Sequence, residues 1–450
     1  MIKMSLHELG NILKTPSPGS PNLYFQGVST DTRTLKEENL FVALHGEKFN
    51  GHDFAESALQ KGASCLLVSQ KLPLDAPQII VDDTLIALGK LAADWRSRFD
   101  IPLIGVTGSN GKTTLKNMLA SILKAASDNE DAVLATYGNF NNQIGLPLTL
   151  LTLNNAHRYA VIEMGMNHLG EIDYLTHIAK PKVAVITNAA ACHLEGVKDL
   201  AGVAKAKGEI FSGLQMEGVA ILNRDDVFFD YWRGLIGNHQ FLSFGLQKNA
   251  DIYATSPDSG EMILHTPTGS IDIRLPLLGM HNRMNALAAA ASSVALHQDL
   301  ATIKKGLETV TPAKGRMQEY ILDTGVRVID DTYNANPFSL QAAVDTLAAL
   351  SGTKILVLGD MRELGPDALE YHKTAGEKIR DQRIDYLFTC GELSQETSRA
   401  FGKNAQHFDK HDALIYALKP YLKKDAVLLV KGSRGMQMEK VIAAIVPTLK

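Results

Sequence analysis

Apolar and polar residues alternate along this chain in two rhythms. Short, nearly all-apolar runs recur: Leu40–Leu44, Cys65–Val68, Leu103–Val106, Ala160–Met164, Val183–Thr187, Val219–Leu222, Val326–Asp330, Lys354–Leu358, Tyr386–Cys390 and Val427–Lys431. Continuous apolar strands of this kind belong to parallel sheets covered on both faces. Between them lie stretches with helical spacing, such as Lys112 onward, with Leu115, Met118, Leu119, Ile122 and Leu123 on one face. The chain therefore reads as α/β. Residues 1–83 make a small α/β domain, 84–313 a central parallel-sheet domain, and 314–450 a Rossmann-like domain. Asn22-Leu-Tyr-Phe-Gln-Gly27 resembles an engineered protease-cleavage sequence, but with no tag or linker in front of it the stretch reads as a natural strand leading into Val28-Ser-Thr-Asp-Thr-Arg33, and Ala286 to Leu296 reads as an Ala-rich helix close against a sheet. The runs Phe241–Phe244, Met262–Thr266 and Ser270–Leu275 are expected in hairpins, as an antiparallel annex.

The stretch after Leu103–Val106 changes the picture most. Thr107-Gly-Ser-Asn-Gly-Lys-Thr-Thr114 joins a buried strand to a helix start through a glycine-bearing loop. Gly108 and Gly111 let the backbone turn tightly and approach an anion. The free N–H groups of the first helical turn and the helix dipole favour a phosphate there. Lys112 can reach terminal phosphates, and the Thr113 hydroxyl can hold Mg²⁺. The strict phosphate-loop pattern wants glycine where this chain has Val106.

Glu163 closes the strand Tyr159–Glu163 at the end where a nucleotide-bound Mg²⁺ would sit. His193 follows another strand end. Lys205 and Lys207 follow within Leu200–Phe211. Spacing alone assigns none of these three. The polar run Gly138-Asn-Phe-Asn-Asn-Gln143 offers amides suited to a polyamide or sugar. Asp330-Asp-Thr-Tyr-Asn-Ala-Asn-Pro337 and Lys431-Gly-Ser-Arg434 end strands of the third domain, at the rim where open α/β sheets bind ligands.

The bulk numbers exclude several classes. At 450 residues, 45% hydrophobic and 21% charged, the chain can build ample cores. Its net charge of −4 gives no broad basic field for nucleic acid. Three widely spaced cysteines form no ligand cluster and fit a reducing, cytoplasmic setting. Met1 to Lys14 is amphipathic rather than a signal peptide, and no apolar run reaches a membrane span.

Taken together, T-G-S-N-G-K-T-T, the strand-end Glu163, the His193 loop and the Ala206-Lys207 segment leading to Ile210-Phe211 resemble the Mur ligase family. These are ATP-dependent amide ligases of peptidoglycan precursor synthesis, related to folylpolyglutamate synthase. Val28–Arg33, Gly138–Asn142, Ala204–Phe211, Asp330–Asn336 and Gly359–Gly365 are similar to the member that adds D-alanyl-D-alanine to UDP-N-acetylmuramoyl-tripeptide. The D-N-P-R motif of the sister that adds the third peptide residue is absent.

The resemblance implies domains for UDP-sugar, ATP and dipeptide, and a chemistry that passes through an acyl phosphate. It implies two Mg²⁺ ions, the first held by Thr113 and Glu163, the second by His193 and a carbamylated Lys207. Lys112 would act on the phosphates. Gly108, Asn110, Gly111, Thr113, Thr114, Asn282, Arg316, Asp331, Tyr333 and Asn336 would serve nucleotide and inter-domain contacts. Ser29, Thr30, Arg33, Asp53, Asn139, Asn142 and Arg434 would serve the substrate. A cytoplasmic monomer with no nucleic-acid partner is expected.

Overall fold

The computed structural model describes residues 1–18, 23–46, 49–192, 194–255 and 261–446. Their strands form sheets of two, four, nine and six. Lys3–Ser5 pairs antiparallel with Tyr24–Gln26. Helix Leu6–Leu13 follows, its Ser5 hydroxyl accepting from Glu8 N. Val28–Ser29, Leu40–Val42, Cys65–Val68 and Gln78–Ile80 then make an all-parallel sheet, as their β-α-β rhythm predicts. Helix Thr84–Ser97 leads to the central sheet. Asp83 caps it, accepting from Leu85 N at 2.8 Å and Ile86 N at 3.0 Å.

In the nine-stranded sheet, Leu103–Thr107 lies between Tyr159–Glu163 and Val183–Ile186, parallel to both. The chain first moves outward to Val133–Ala135, returns through Tyr159–Glu163, then builds the other side from Val183. Leu103–Thr107 therefore ends at the reversal of strand order, the place where open α/β sheets bind ligands. Both faces are covered. Ile104, Val106, Val161 and Val185 pack with Met118, Leu119, Ile122 and Ala289 on one side. Leu103, Ala160, Ile162 and Ile186 pack with Leu91, Leu175 and Ala204 on the other.

One expectation fails here. Gln240–Gly245, which contains Phe241–Phe244, pairs parallel with Val219–Asn223 and parallel with Ile252–Thr255. Helix Phe229–Leu235 makes a crossover between the first two, so the returning strand runs the same way. Among the described strands of this sheet, only Ile252–Thr255, Glu261–Thr266 and Gly269–Arg274 are antiparallel neighbours. The Ala-rich helix is Met280–Ala295, and Ala286 and Ala288–Ala291 are fully buried in it.

The six-stranded sheet runs Gln318–Ile321, Arg327–Asp331, Ala426–Lys431, Thr353–Gly359, Tyr386–Cys390 and Ala405–Phe408. Its first pair is antiparallel and the rest are parallel. The ends of Arg327–Asp331 and Ala426–Lys431 therefore lie together.

Candidate active site

Helix Lys112–Ser127 begins directly after Gly111, whose φ of 84° is left-handed. Lys112 is its first residue. Its Nζ folds back to donate to Gly108 O at 2.7 Å and Ser109 O at 3.5 Å. Burial pulls its ammonium below the usual lysine range, with Glu163 acting against that shift. The loop is pinned from the next strand. Ser109 N donates to Asn188 O at 2.9 Å and Asn110 N to Asn188 Oδ1 at 3.1 Å, while Thr187 Oγ1 donates to Asn110 O at 2.6 Å. A Cβ on Gly108 would lie 1.8 Å from Thr187 Oγ1, and one on Gly111 2.3 Å from Asn285 Oδ1. Asn282 sits one helical turn before Asn285. Its Nδ2 donates to Leu278 O at 2.7 Å and its Oδ1 accepts from Asn285 Nδ2 at 3.4 Å.

Glu163 is 3% exposed at the end of its strand. Thr113 Oγ1 donates to its Oε2 at 3.0 Å, and Asn141 Nδ2 donates to its Oε1 at 2.8 Å. Asn141 is a site residue that the sequence reading passed over in favour of its neighbours. Its signal was its place inside the Asn-rich run opposite a strand-end carboxylate. Asn142 instead turns its Oδ1 to Ile144 N and Gly145 N, at 3.2 and 2.9 Å, while still lining the cavity. Asn139 lines it too.

Lys207 and Lys205 part company. Lys207 is 2% exposed and faces the cavity, whereas Lys205 is exposed on the opposite side of helix Leu200–Gly208. Burial lowers the Lys207 pKa to about 8, with nearby Lys112 pushing the same way and Cys192 opposing. His193 lies outside the described residues.

Arg316 and Asn336 reach across from the C-terminal sheet. Arg316 Nη2 donates to Thr113 Oγ1 at 3.2 Å, and its guanidinium stacks 4.1 Å over the Tyr333 ring. Asn336 Nδ2 donates to Asn110 Oδ1 at 2.9 Å. Asp331, expected at the nucleotide, is held by Lys431 Nζ at 2.5 Å in a nearly buried ion pair. Arg434 sits at the cavity edge with its guanidinium 3.1 Å from Glu439.

These groups surround one cavity of about 840 Å³, which also takes in Lys112, Thr114, Asn282 and Tyr333. Among the described residues three buried polar atoms around it have no partner: Asn110 Nδ2, Arg316 Nε and His281 Nδ1. The first-domain candidates are elsewhere. Ser29 Oγ is engaged by its own turn, donating to Asp31 O at 2.9 Å. Arg33 is exposed and chelates Asp31, and Asp53 is exposed. None of these, nor Thr30, lines the cavity.

A parallel sheet with this cradle at its switch point, faced by a second α/β body, is shared with known proteins. The Mur ligase middle domain matches residues 106–293, the Mur ligase glutamate ligase domain matches 315–434, and the Mur ligase catalytic domain matches 24–96. The chain belongs to the Mur ligase family. It is 44% identical, over 99% of both chains, to the UDP-N-acetylmuramoyl-tripeptide--D-alanyl-D-alanine ligase of Escherichia coli. It is 42% identical over the full length of both chains to the ligase of the same name from Haemophilus influenzae. MurF from Acinetobacter baumannii superposes with a TM-score of 0.92 at 34% identity, covering 98% of each chain. MurF ligase from Thermotoga maritima in complex with ADP superposes with a TM-score of 0.84 at 27% identity, covering 94% of this chain and 98% of that one.

Proposed function

We infer that this chain is an ATP-dependent ligase. It joins D-alanyl-D-alanine to UDP-N-acetylmuramoyl-tripeptide and releases ADP and phosphate. Full-length similarity to ligases of that name supports the substrate choice over the sister that adds the third residue. The observation that carries the chemistry is the cavity itself. A phosphate cradle and a buried carboxylate face strand ends of a second sheet across it.

A carboxylate is a poor electrophile, so the tripeptide's terminal carboxylate first attacks the ATP γ-phosphorus. The bond to the β-phosphate oxygen breaks, and ADP leaves. The neutral amine of D-alanyl-D-alanine then adds to the acyl carbon, the C–O bond to phosphate breaks, and the proton the nitrogen loses leaves with the phosphate or to solvent. Lys112 is placed by its helix start to leave Gly108 O for the phosphate oxygens, where its charge offsets the repulsion between two anions. Gly108, Gly111, Thr114 and the cradle N–H groups hold the phosphates. The unpartnered donors of Asn110 and Arg316 are available to acceptors of the bound nucleotide.

The donor set fits Mg²⁺. Thr113 and Glu163 offer hard oxygens 3.0 Å apart. Bound Mg²⁺ would neutralise charge on the β- and γ-phosphates. For the second ion we propose His193 and Lys207. An ammonium has no lone pair, but a neutral Lys207 amine can add to CO₂ and release a proton, leaving a carbamate oxygen ligand. Its pKa of about 8 makes that neutral form far more accessible near neutral pH than in an unperturbed lysine.

We assign UDP-sugar binding to residues 1–83 through Ser29, Thr30, Arg33 and Asp53. ATP binding goes to 84–313, and the dipeptide to 314–450 with Arg434. Asn139 and Asn142 face the tripeptide side. Asn282, Asp331, Tyr333 and Asn336 serve the nucleotide side and the contact between domains. The enzyme acts as a cytoplasmic monomer. Phosphate release measured with each substrate omitted in turn tests the reading.

A further inference from the structure

Lys116 is a buried cation that the reaction above does not use. It lies one turn beyond Lys112 on the cradle helix, is 7% exposed, and does not line the cavity. Burial lowers its pKa, with Glu163 acting against the shift and Arg316 with it. Its Nζ donates to Thr136 O at 2.7 Å. Thr136, 1% exposed, accepts at Oγ1 from Glu163 N at 2.9 Å, and its own N donates to Val161 O at 3.1 Å. The Asn-rich loop starts at the next residue and returns Asn141 to Glu163 Oε1 at 2.8 Å. Asn141 O then accepts from Gly165 N at 2.8 Å.

We propose that Lys116 is a positioning residue that fixes Glu163 and the Asn-rich loop to the cradle helix as one unit. The inference rests on the assignment of Glu163 to Mg²⁺. The reasons are geometric and electrostatic. A solvated surface lysine would gain nothing here, and a buried ammonium is costly unless it makes a strong, charge-assisted bond. The Thr136 carbonyl supplies that bond. It lies where the strand Val133–Ala135 ends, so it sets the departure angle of the loop. Thr136 then passes the constraint to the Glu163 backbone, and Asn141 to its carboxylate. Lys112 can leave for phosphate, whereas Lys116 stays beneath Glu163 as a fixed positive charge. The metal side and the tripeptide side of the cleft are thereby held in register through one residue that touches neither ligand.

The test uses the full-length protein and reads binding rather than turnover. Titration calorimetry gives the affinity for ADP with and without Mg²⁺, and hydrogen exchange follows amides 137–142 in the ligand-free protein. Lys116→Met keeps length and apolar stem but removes the bond. It is expected to cut the Mg²⁺ enhancement of ADP affinity about tenfold or more while leaving metal-free ADP affinity within about twofold. Exchange at 137–142 should accelerate, and Lys116→Arg should restore much of both. Thr136→Val, which removes only the acceptor for Glu163 N, should move the Mg²⁺ enhancement the same way. It also carries the test if Lys116→Met does not fold. Wild-type Mg²⁺ enhancement and wild-type loop protection in folded Lys116→Met would overturn the proposal, as would an unchanged enhancement in Thr136→Val. If wild-type ADP affinity itself ignores Mg²⁺, the metal assignment of Glu163 fails instead.

Discussion

Asn336 and Asn110 join two sheets of this protein through a single 2.9 Å hydrogen bond, from Asn336 Nδ2 to Asn110 Oδ1. The same Asn336 caps helix Pro337–Ala348. Its Oδ1 accepts from Ser339 N at 2.8 Å, and Ser339 Oγ accepts from Asn336 N at 3.0 Å. One side chain thus starts a helix of the C-terminal body and reaches the phosphate cradle of the central one. Asn336→Asp keeps the cap acceptor but loses the donor. It should melt near wild type yet lose turnover, whereas Asn336→Ala should also lose about 1 kcal/mol of stability. Thermal unfolding beside phosphate release separates the two. Equal turnover in both variants and wild type would remove the bridge from the account.

Lys112→Ala should lower turnover about 10²- to 10³-fold, the usual effect of deleting one preorganised electrostatic contact. Stability should hold or rise, because a partly desolvated ammonium is removed from the loop. A variant with a wild-type rate of phosphate release would dismiss the cradle.

Lys207 yields a prediction about pH. Its folded pKa, about 8, lies below the unfolded lysine value. Between roughly pH 8 and 10.5 the unfolded chain therefore binds more protons, and stability rises with pH across that window. Below about pH 8 the full cost of burying the ammonium is present. In CO₂-depleted buffer, Lys207→Met should be more stable than wild type at pH 7, and the gap should shrink above pH 8. Denaturant titrations at pH 7 and pH 9.5 check the sign. The same shift leaves about one amine in ten neutral at pH 7, against about one in three thousand for an unperturbed lysine. Added bicarbonate should raise activity more at pH 7 than at pH 8.5. Lys207→Ala should lose most activity and regain part with acetate, and Lys205→Ala should lose little. Near-wild-type activity in both alanine variants would return Lys207 to a packing role.

The buried pair of Lys431 and Asp331 gives a stability prediction. Their side chains are 3% and 14% exposed. Lys431→Met leaves the Asp331 carboxylate buried without its partner and should cost about 3–5 kcal/mol. The double variant with Asp331→Asn should recover much of that loss. A single variant as stable as wild type in urea would show that the pair contributes only position.

Much of this fold was legible in the sequence because its strands are buried on both faces and read as unbroken apolar runs. Leu103–Thr107, Tyr159–Glu163 and Ala426–Lys431 are of that kind. The cradle was legible because its chemistry is local, with Gly108, Gly111, Lys112 and Thr113 within six residues. Gln240–Gly245 misled because it lies outside the fully buried middle of the sheet. Its first residues are exposed or half-exposed while Ser243–Gly245 is buried, and the helix that makes it parallel is only seven residues long. Asn141 and Lys116 were missed for another reason. Their partners, Glu163 and Thr136, are 22 and 20 residues away, and nothing in local spacing links them. The choice of Lys207 over Lys205 rested on family resemblance, and burial now supplies an independent physical ground for it.

The central claim is that ATP cleavage here is coupled to joining a carboxylate and an amine across one cleft. The most direct measurement is phosphate release from ATP and Mg²⁺ with UDP-N-acetylmuramoyl-tripeptide and D-alanyl-D-alanine present together, singly, or replaced by single amino acids. The account predicts sustained release, one phosphate per pentapeptide product, only when both are present. Sustained release with neither substrate, or equal release when the dipeptide is replaced by a single amino acid, would contradict it.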